Sequence, residues 1–262
     1  MKVNTWAAFF LALIWLPACY SIVQRDADFS FHNAPPRVGR LLSLIEQKNA
    51  AVQSFKAIGR IRIWDRGLSR TSRAAWLGAA DGRLRIEFLG LPGQPVAKFI
   101  FDGRHTLFFS HMDDQIYRKK SRDPNLEPVT GVSIKASEVI DLLAGGIPVY
   151  EHDSIFVEQC GEPSDEQAGE SDRCVLIFKK AWLGVVEKIF FKGSVIEKVE
   201  IFKWGDKIYQ ATLNDIRTVD RKSVPFFIEI ENAENQGFSF TVDRQWVDID
   251  LRPDVFEITQ TD

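Results

Sequence analysis

The sequence predicts a mainly β fold, a barrel or strongly curved antiparallel sheet of about eleven strands with two helices packed on it. Three observations carry this expectation. After Phe55, apolar residues recur with a period of two in short runs through most of the chain. Turn-forming pairs such as Asp102-Gly103 and Asp113-Asp114 separate those runs at even spacing, the pattern of a meander. The twenty Phe and seven Trp fall within the alternating runs, not in a helical stripe, so one face of the sheet is strongly apolar.

The elements follow in order. Val38, Leu41, Leu42, Ile45 and Val52 recur at helical spacing behind Pro36, which suits a first helical turn, and predict an amphipathic helix reaching about Gln53. Ala57, Gly59, Ile61 and Ile63 then alternate with Ile58, Arg60 and Arg62, as Leu84, Ile86 and Phe88 do with Arg83, Arg85 and Glu87. Further strands are predicted over 70–77, 96–101, 106–110 and 115–118. Residues 133–144 read as a second helix, with Ser133 as its cap and Gly145-Gly146 as its stop. Strand signals resume over 153–159, 173–179, 187–191, 196–204, 210–217, 226–231 and 237–246.

The first residues carry a different signal. Lys2 precedes an apolar run from Trp6 to Leu16, too short to span a bilayer and followed by Pro17-Ala18-Cys19, so residues 1–18 read as an export signal. Residues 19–36 are polar, aperiodic and close on Pro35-Pro36, which reads as a tether, leaving 37–262 as a single domain. Net charge is −3 with both signs interspersed, which gives no footprint for nucleic acid.

Catalytic and metal signatures are missing from the pattern. His32, His105, His111 and His152 are scattered, and no nucleophile elbow, phosphate loop or cysteine–histidine cluster occurs. The acidic pairs Asp113-Asp114 and Asp248 with Asp250 are explained by turn chemistry and a solvated strand face. The expectation is a protein that is not an enzyme and uses no cofactor or metal. Cys160 and Cys174 bracket a polar segment and, in an exported chain, are expected to form a disulfide across a hairpin; a redox or metal pair is the alternative.

Leu16, Ala18 and Cys19 resemble the lipobox of bacterial lipoproteins, in which the cysteine becomes the first residue and carries three acyl chains. An ordinary signal peptide with a chance cysteine is the alternative. Each buried CH₂ contributes about 0.8 kcal/mol, so such an anchor would release slowly. Tyr20 after the cysteine resembles the pattern released to the outer membrane, on its periplasmic face.

Several short motifs stand in a telling order. Ile58-Gly59-Arg60-Ile61, Trp76, Arg83-Leu84-Arg85-Ile86, Leu89-Gly90-Leu91-Pro92-Gly93-Gln94, and a helix before Gly146-Ile147-Pro148 together resemble the LolB family of outer-membrane lipoproteins. The ending Asp254-Val255-Phe256-Glu257-Ile258 is more similar to the LolA carriers. The resemblance implies a half-open antiparallel barrel with helices over its concave face, in a divergent member of the LolA/LolB superfamily. It implies binding of acyl chains and acceptance or insertion of lipoproteins, or of another amphiphile, with membrane lipid and a periplasmic LolA-like carrier as partners. A monomer is expected, although no sequence feature sets the oligomeric state. It also gives the loop residues Leu89, Leu91 and Pro92 a membrane-insertion role, against the alternative of a turn packing back on its sheet. Acyl-cavity candidates are Ile61, Ile63, Trp76, Leu84, Ile86, Phe88, Phe99, Phe101 and Phe109, each of which could equally be plain core. The competing functions are a scaffolding lipoprotein with a solid-packed barrel and, more remotely, a lipid-active hydrolase.

Overall fold

The computed structural model describes residues 36–90, 93–110, 115–158 and 173–257. Helix α1 (Pro36–Ala51) buries Val38, Leu41, Leu42 and Ile45 on one face. It ends two residues before the helical pattern in the sequence does, because Val52 turns into the core and Ser54 begins the sheet.

The first six strands are β1 (Ser54–Asp65), β2 (Leu68–Ala79), β3 (Arg83–Leu89), β4 (Pro95–Phe101), β5 (His105–Ser110) and β6 (Gln115–Lys120). Two helices follow, α2 (Glu127–Thr130) and α3 (Ala136–Leu143). The chain then forms β7 (Ser154–Glu158), β8 (Arg173–Lys180), β9 (Gly184–Lys192), β10 (Val195–Lys203), β11 (Asp206–Val219), β12 (Lys222–Glu231) and β13 (Gly237–Val247). A short 3-10 turn, Pro253–Phe256, closes the described chain.

All thirteen strands lie in one antiparallel sheet, in the order β6-β5-β4-β3-β2-β1-β13-β12-β11-β10-β9-β8-β7. The sheet is open, with β6 and β7 as its edges. The count exceeds the expected eleven because each alternating run forms its own strand, including the short runs that become β6 and β7. Helices number three instead of two, since four residues around Pro128 close a single turn too short to carry a periodic signal. Ser133 is not the cap of α3: Lys135 holds that position, its backbone N–H donating to Glu138 Oε2 at 2.8 Å, while Ser133 Oγ accepts from Asn125 Nδ2 at 2.9 Å.

Topology explains where the helices go. Consecutive strands pair as hairpins on both sides of β1–β13, so only residues 121–153 connect the two edges of the sheet. That connection has to cross the sheet's full width, and it does so on the apolar face, where α3 touches both β3 and β12. Its residues Val139, Ile140, Leu142 and Leu143 join α1 and the inner face of the sheet in one core. A smaller cluster covers the other face, where Phe256 packs on Ala79 and Ile100 beneath the Arg83 guanidinium.

Close backbone approach fixes one glycine in β1. A Cβ on Gly59 would lie 2.1 Å from the Thr241 carbonyl oxygen, at the point where the β1–β13 register shifts. Among the described residues no helix is long and apolar enough to cross a membrane.

Candidate functional site

The inner face has two unlike halves. Over β1 to β5, five of the predicted cavity residues, Ile61, Ile63, Ile86, Phe88 and Phe99, surround a void of about 40 Å³. Trp76, Leu84 and Phe101 lie in the same core at 2% exposure or less, and Trp76 meets Phe240 edge-on at 5.2 Å. Phe109 is elsewhere. Phe108 faces the void, so its strand neighbour Phe109 takes the opposite face of β5, where alternation must put it. Leu126, Val129 and Thr130 close the void from above, and the Gly131 carbonyl that ends α2 accepts from Asn232 Nδ2 at 3.0 Å. The remaining space suits a few waters and is far below the roughly 300 Å³ at which ligand pockets begin.

The other half holds a cleft of about 530 Å³. Val186, Ile201 and Ile208 of β9, β10 and β11 form its apolar wall, Ile134 and Leu183 narrow it, and Lys180 and Lys203 stand at the ends of β8 and β10. Glu138 and Tyr150 line its inner part. That position is unusual for a carboxylate. Glu138 is 5% exposed and accepts hydrogen bonds from the Tyr150 hydroxyl and the Lys135 N–H.

Behind Glu138 lies a second layer of buried acid and phenol. Glu187 of β9 and Tyr209 of β11 both pair with Ile201 of β10, so the three side chains share the inner face in a row. Glu187 Oε2 accepts from the Tyr150 N–H at 3.0 Å, whereas Glu187 Oε1 and the Tyr209 hydroxyl have no hydrogen-bond partner among the described residues. Burial, reinforced by Glu138, pushes the Glu187 carboxyl up to about 8. Asp141 on α3 rises to about 7, first from burial and then from Glu138 and Asp123. Burial also raises Glu138, and it holds Tyr150 and Tyr209 as neutral phenols far above their usual range. Near neutral pH the Glu187 carboxyl and the two phenols thus keep their protons at the inner end of the cleft. Such a set can hold a polar group of a ligand. Ser133 also lines the cleft, its hydroxyl accepting from Asn125 Nδ2 at 2.9 Å, and no His or Cys is among the lining residues.

The sequence reading missed this cluster. Its signal was the parity of β9, where Glu187 shares the inward register of Ile189 and Phe191, and of β11, where Tyr209 shares that of Ala211 and Leu213.

The other singled-out residues are placed as follows. Leu89 ends β3 half-buried, and the Gly90 N–H donates to the Gln94 carbonyl at 2.8 Å to close the loop. Leu91 and Pro92 lie outside the described residues, as do Cys19, Cys160, His32, His111 and Asp113-Asp114. Cys174 is buried on β8 and disulfide-bonded. Asp248 is structural: its carboxylate accepts the Gln53 N–H at 2.9 Å and pairs with Lys222. His105 sits 3.4 Å from Asp102 across a turn, and His152 stacks on Phe178. Among the described residues no group of three acidic, His or Cys side chains could hold a metal ion.

Comparison with solved structures decides the fold. An outer membrane lipoprotein-sorting protein domain from Vibrio parahaemolyticus superposes with a TM-score of 0.57 at 10% identity, over 83% of this chain and 94% of that one. A LolA superfamily protein from Nitrosomonas europaea gives 0.53 at 12% identity, over 84% and 97%. The chain has the LolA-type fold. A DUF1329 family protein from Desulfovibrio piger shares it, at a TM-score of 0.57 and 10% identity over 84% of this chain and 97% of its own. No family model and no curated protein matches the sequence, so the LolA-type fold is reached here by a divergent chain.

Proposed function

We propose that this protein is a lipid-anchored acceptor or inserter of the bacterial outer membrane, in which residues 1–18 are removed and Cys19 carries the acyl chains. A tether over 19–36 then holds the domain at the periplasmic face. The domain takes up acyl chains of a lipoprotein, or of another amphiphile delivered by a LolA-like carrier, without covalent chemistry. The observation that carries this reading is the 530 Å³ cleft between the crossing segment and β8–β11. Its walls are apolar, its volume falls within the range of ligand pockets, and its ends are polar, as an amphiphile requires. The acyl site is thereby moved from the β1–β5 face, where the candidates were sought, to the opposite half of the sheet.

Displacement of a fluorescent fatty acid, with native mass spectrometry of the purified protein, tests the reading. Bound acyl species and saturable displacement are expected; an empty interior that displaces nothing overturns it. For the insertion step, Leu91→Glu is expected to block lipoprotein delivery in depleted cells, and unaltered delivery would remove the loop from the mechanism. The closed β1–β5 face favours a second reading, a scaffold with a solid barrel. That reading requires the cleft to bind no acyl probe.

A further inference from the structure

Strict antiparallel order puts six hairpin turns at one end of the sheet: β1–β2, β3–β4 and β5–β6 on one side, β12–β13, β10–β11 and β8–β9 on the other. This rim carries the three most exposed large apolar side chains of the described residues. Leu68 beside the β1–β2 turn is 81% exposed, Trp182 in the β8–β9 turn 96% and Trp204 in the β10–β11 turn 67%. Val96 and Ile116 lie exposed beside the β3–β4 and β5–β6 turns.

The two tryptophans are also in the wrong backbone conformation for their type. Trp182 has φ +70° and Trp204 φ +57°, the left-handed region that glycine and asparagine fill at hairpin turns and that bulky residues avoid. Neither indole has a ring or cation partner among the described residues. A strained, costly residue that packs on nothing within its own chain is placed for something outside it.

From the chemistry of the rim we infer that it is a membrane-docking surface, with the Trp182 and Trp204 indoles seated at the headgroup–acyl boundary of a phospholipid bilayer and Leu68 entering beside them. Indole suits that boundary because its ring is apolar and its N–H is a donor. The apolar tips stand on different hairpins, each two or more strands from the next in the sheet order. A fluid planar surface can meet them all together, whereas a folded partner would need a matching pocket for each. Charge on the rim is mixed, Arg66, Lys180 and Lys203 against Asp65, Asp206 and Glu234, so the contact is apolar insertion and needs no anionic lipid. The cleft opens at the same rim, since Lys180, Leu183 and Lys203 belong to the ends and turns of β8–β11 there. Docking would thus hold the cleft's mouth against lipid, which deepens the carrier reading without requiring the Cys19 anchor.

Tryptophan quenching tests the inference on the purified protein with phosphatidylcholine vesicles, plain or brominated on the acyl chains. Brominated vesicles are expected to quench the protein, in low and high salt alike. Trp182→Asn with Trp204→Asn should remove most of that quenching while leaving the thermal midpoint unchanged or higher, because Asn accepts positive φ. Trp246→Phe, away from the rim, should leave it intact. Equal fluorescence in plain and brominated vesicles, or full quenching in the double variant, overturns the inference. So does a double variant that loses a co-purifying envelope protein while lipid quenches neither form. Fatty-acid displacement in solution reads the cleft separately: its failure with quenching retained defeats the carrier reading alone, and the converse result defeats the rim alone.

Discussion

Over β1 to β5 the inner face closes to a void of about 40 Å³, whereas β8 to β11 leave a cleft of about 530 Å³ backed by acids and phenols. Both halves belong to one sheet and both alternate apolar residues inward, so patterning does not distinguish them. What differs is the size of the inward side chains and what crosses above them. Phe88, Phe99, Phe108, Phe238 and Phe240 fill the first half, and α2 lowers Leu126 and Val129 onto them. The second half presents Val186, Ile201 and Ile208, and the chain above it places Glu138 and Tyr150 where a ring could have stood. Polar groups at that depth must keep their hydrogen bonds, so the chain cannot collapse onto the wall as it does on the other side. An apolar face becomes a site when something prevents it from closing.

The sharpest break in that contrast is expected from Trp76→Ala in the closed half. The residue is 1% exposed, and its loss should cost about 3–5 kcal/mol in denaturant unfolding while leaving the cleft's affinity for an acyl probe unchanged. The acid cluster should show in the pH dependence of stability. Glu187 and Asp141 titrate near 8 and 7 in the folded chain, above their unfolded values, so the folded state holds their protons longer. Their stabilisation is complete below about pH 4 and is lost as pH rises through 7 and 8, by up to about 1.4 kcal/mol per pH unit for each group. Thermal midpoints should therefore fall from acid to mildly alkaline pH, and Glu187→Gln should flatten the curve. Tyr150→Phe leaves Glu138 without its phenol donor, which should cost about 1–3 kcal/mol by chemical unfolding. The smallest effect on stability belongs to Leu183→Trp at the mouth of the cleft, half-buried in a turn. It should weaken probe binding roughly tenfold, equivalent to about 1.4 kcal/mol, with little change in unfolding. A Phe88→Trp change in the closed half should do the reverse, lowering stability and leaving binding alone.

Much of the fold was legible because period-two alternation is a local property. Each alternating run became a strand, giving thirteen where about eleven were expected, and the apolar stripe Val38, Leu41, Leu42, Ile45 marked α1. The site was less legible. Phe109 entered the cavity list and Phe108 did not, because both are apolar and only register tells them apart. Glu187 and Tyr209 were readable from strand parity but meet Glu138 and Tyr150 only through the crossing segment. Trp182 and Trp204 were visible as letters; their exposure and positive φ were not.

The sequence by itself determined the inward and outward faces of the strands, the two main helices and the turns between them, because side-chain alternation and turn chemistry act over a few residues. Only the tertiary structure decided which half of the apolar face stays open and which end of the sheet carries the exposed indoles. Those outcomes depend on where residues 121–153 cross from β6 to β7, and on the summed order of thirteen strands. Such contacts join residues far apart in the chain, and no local pattern encodes the distance between them.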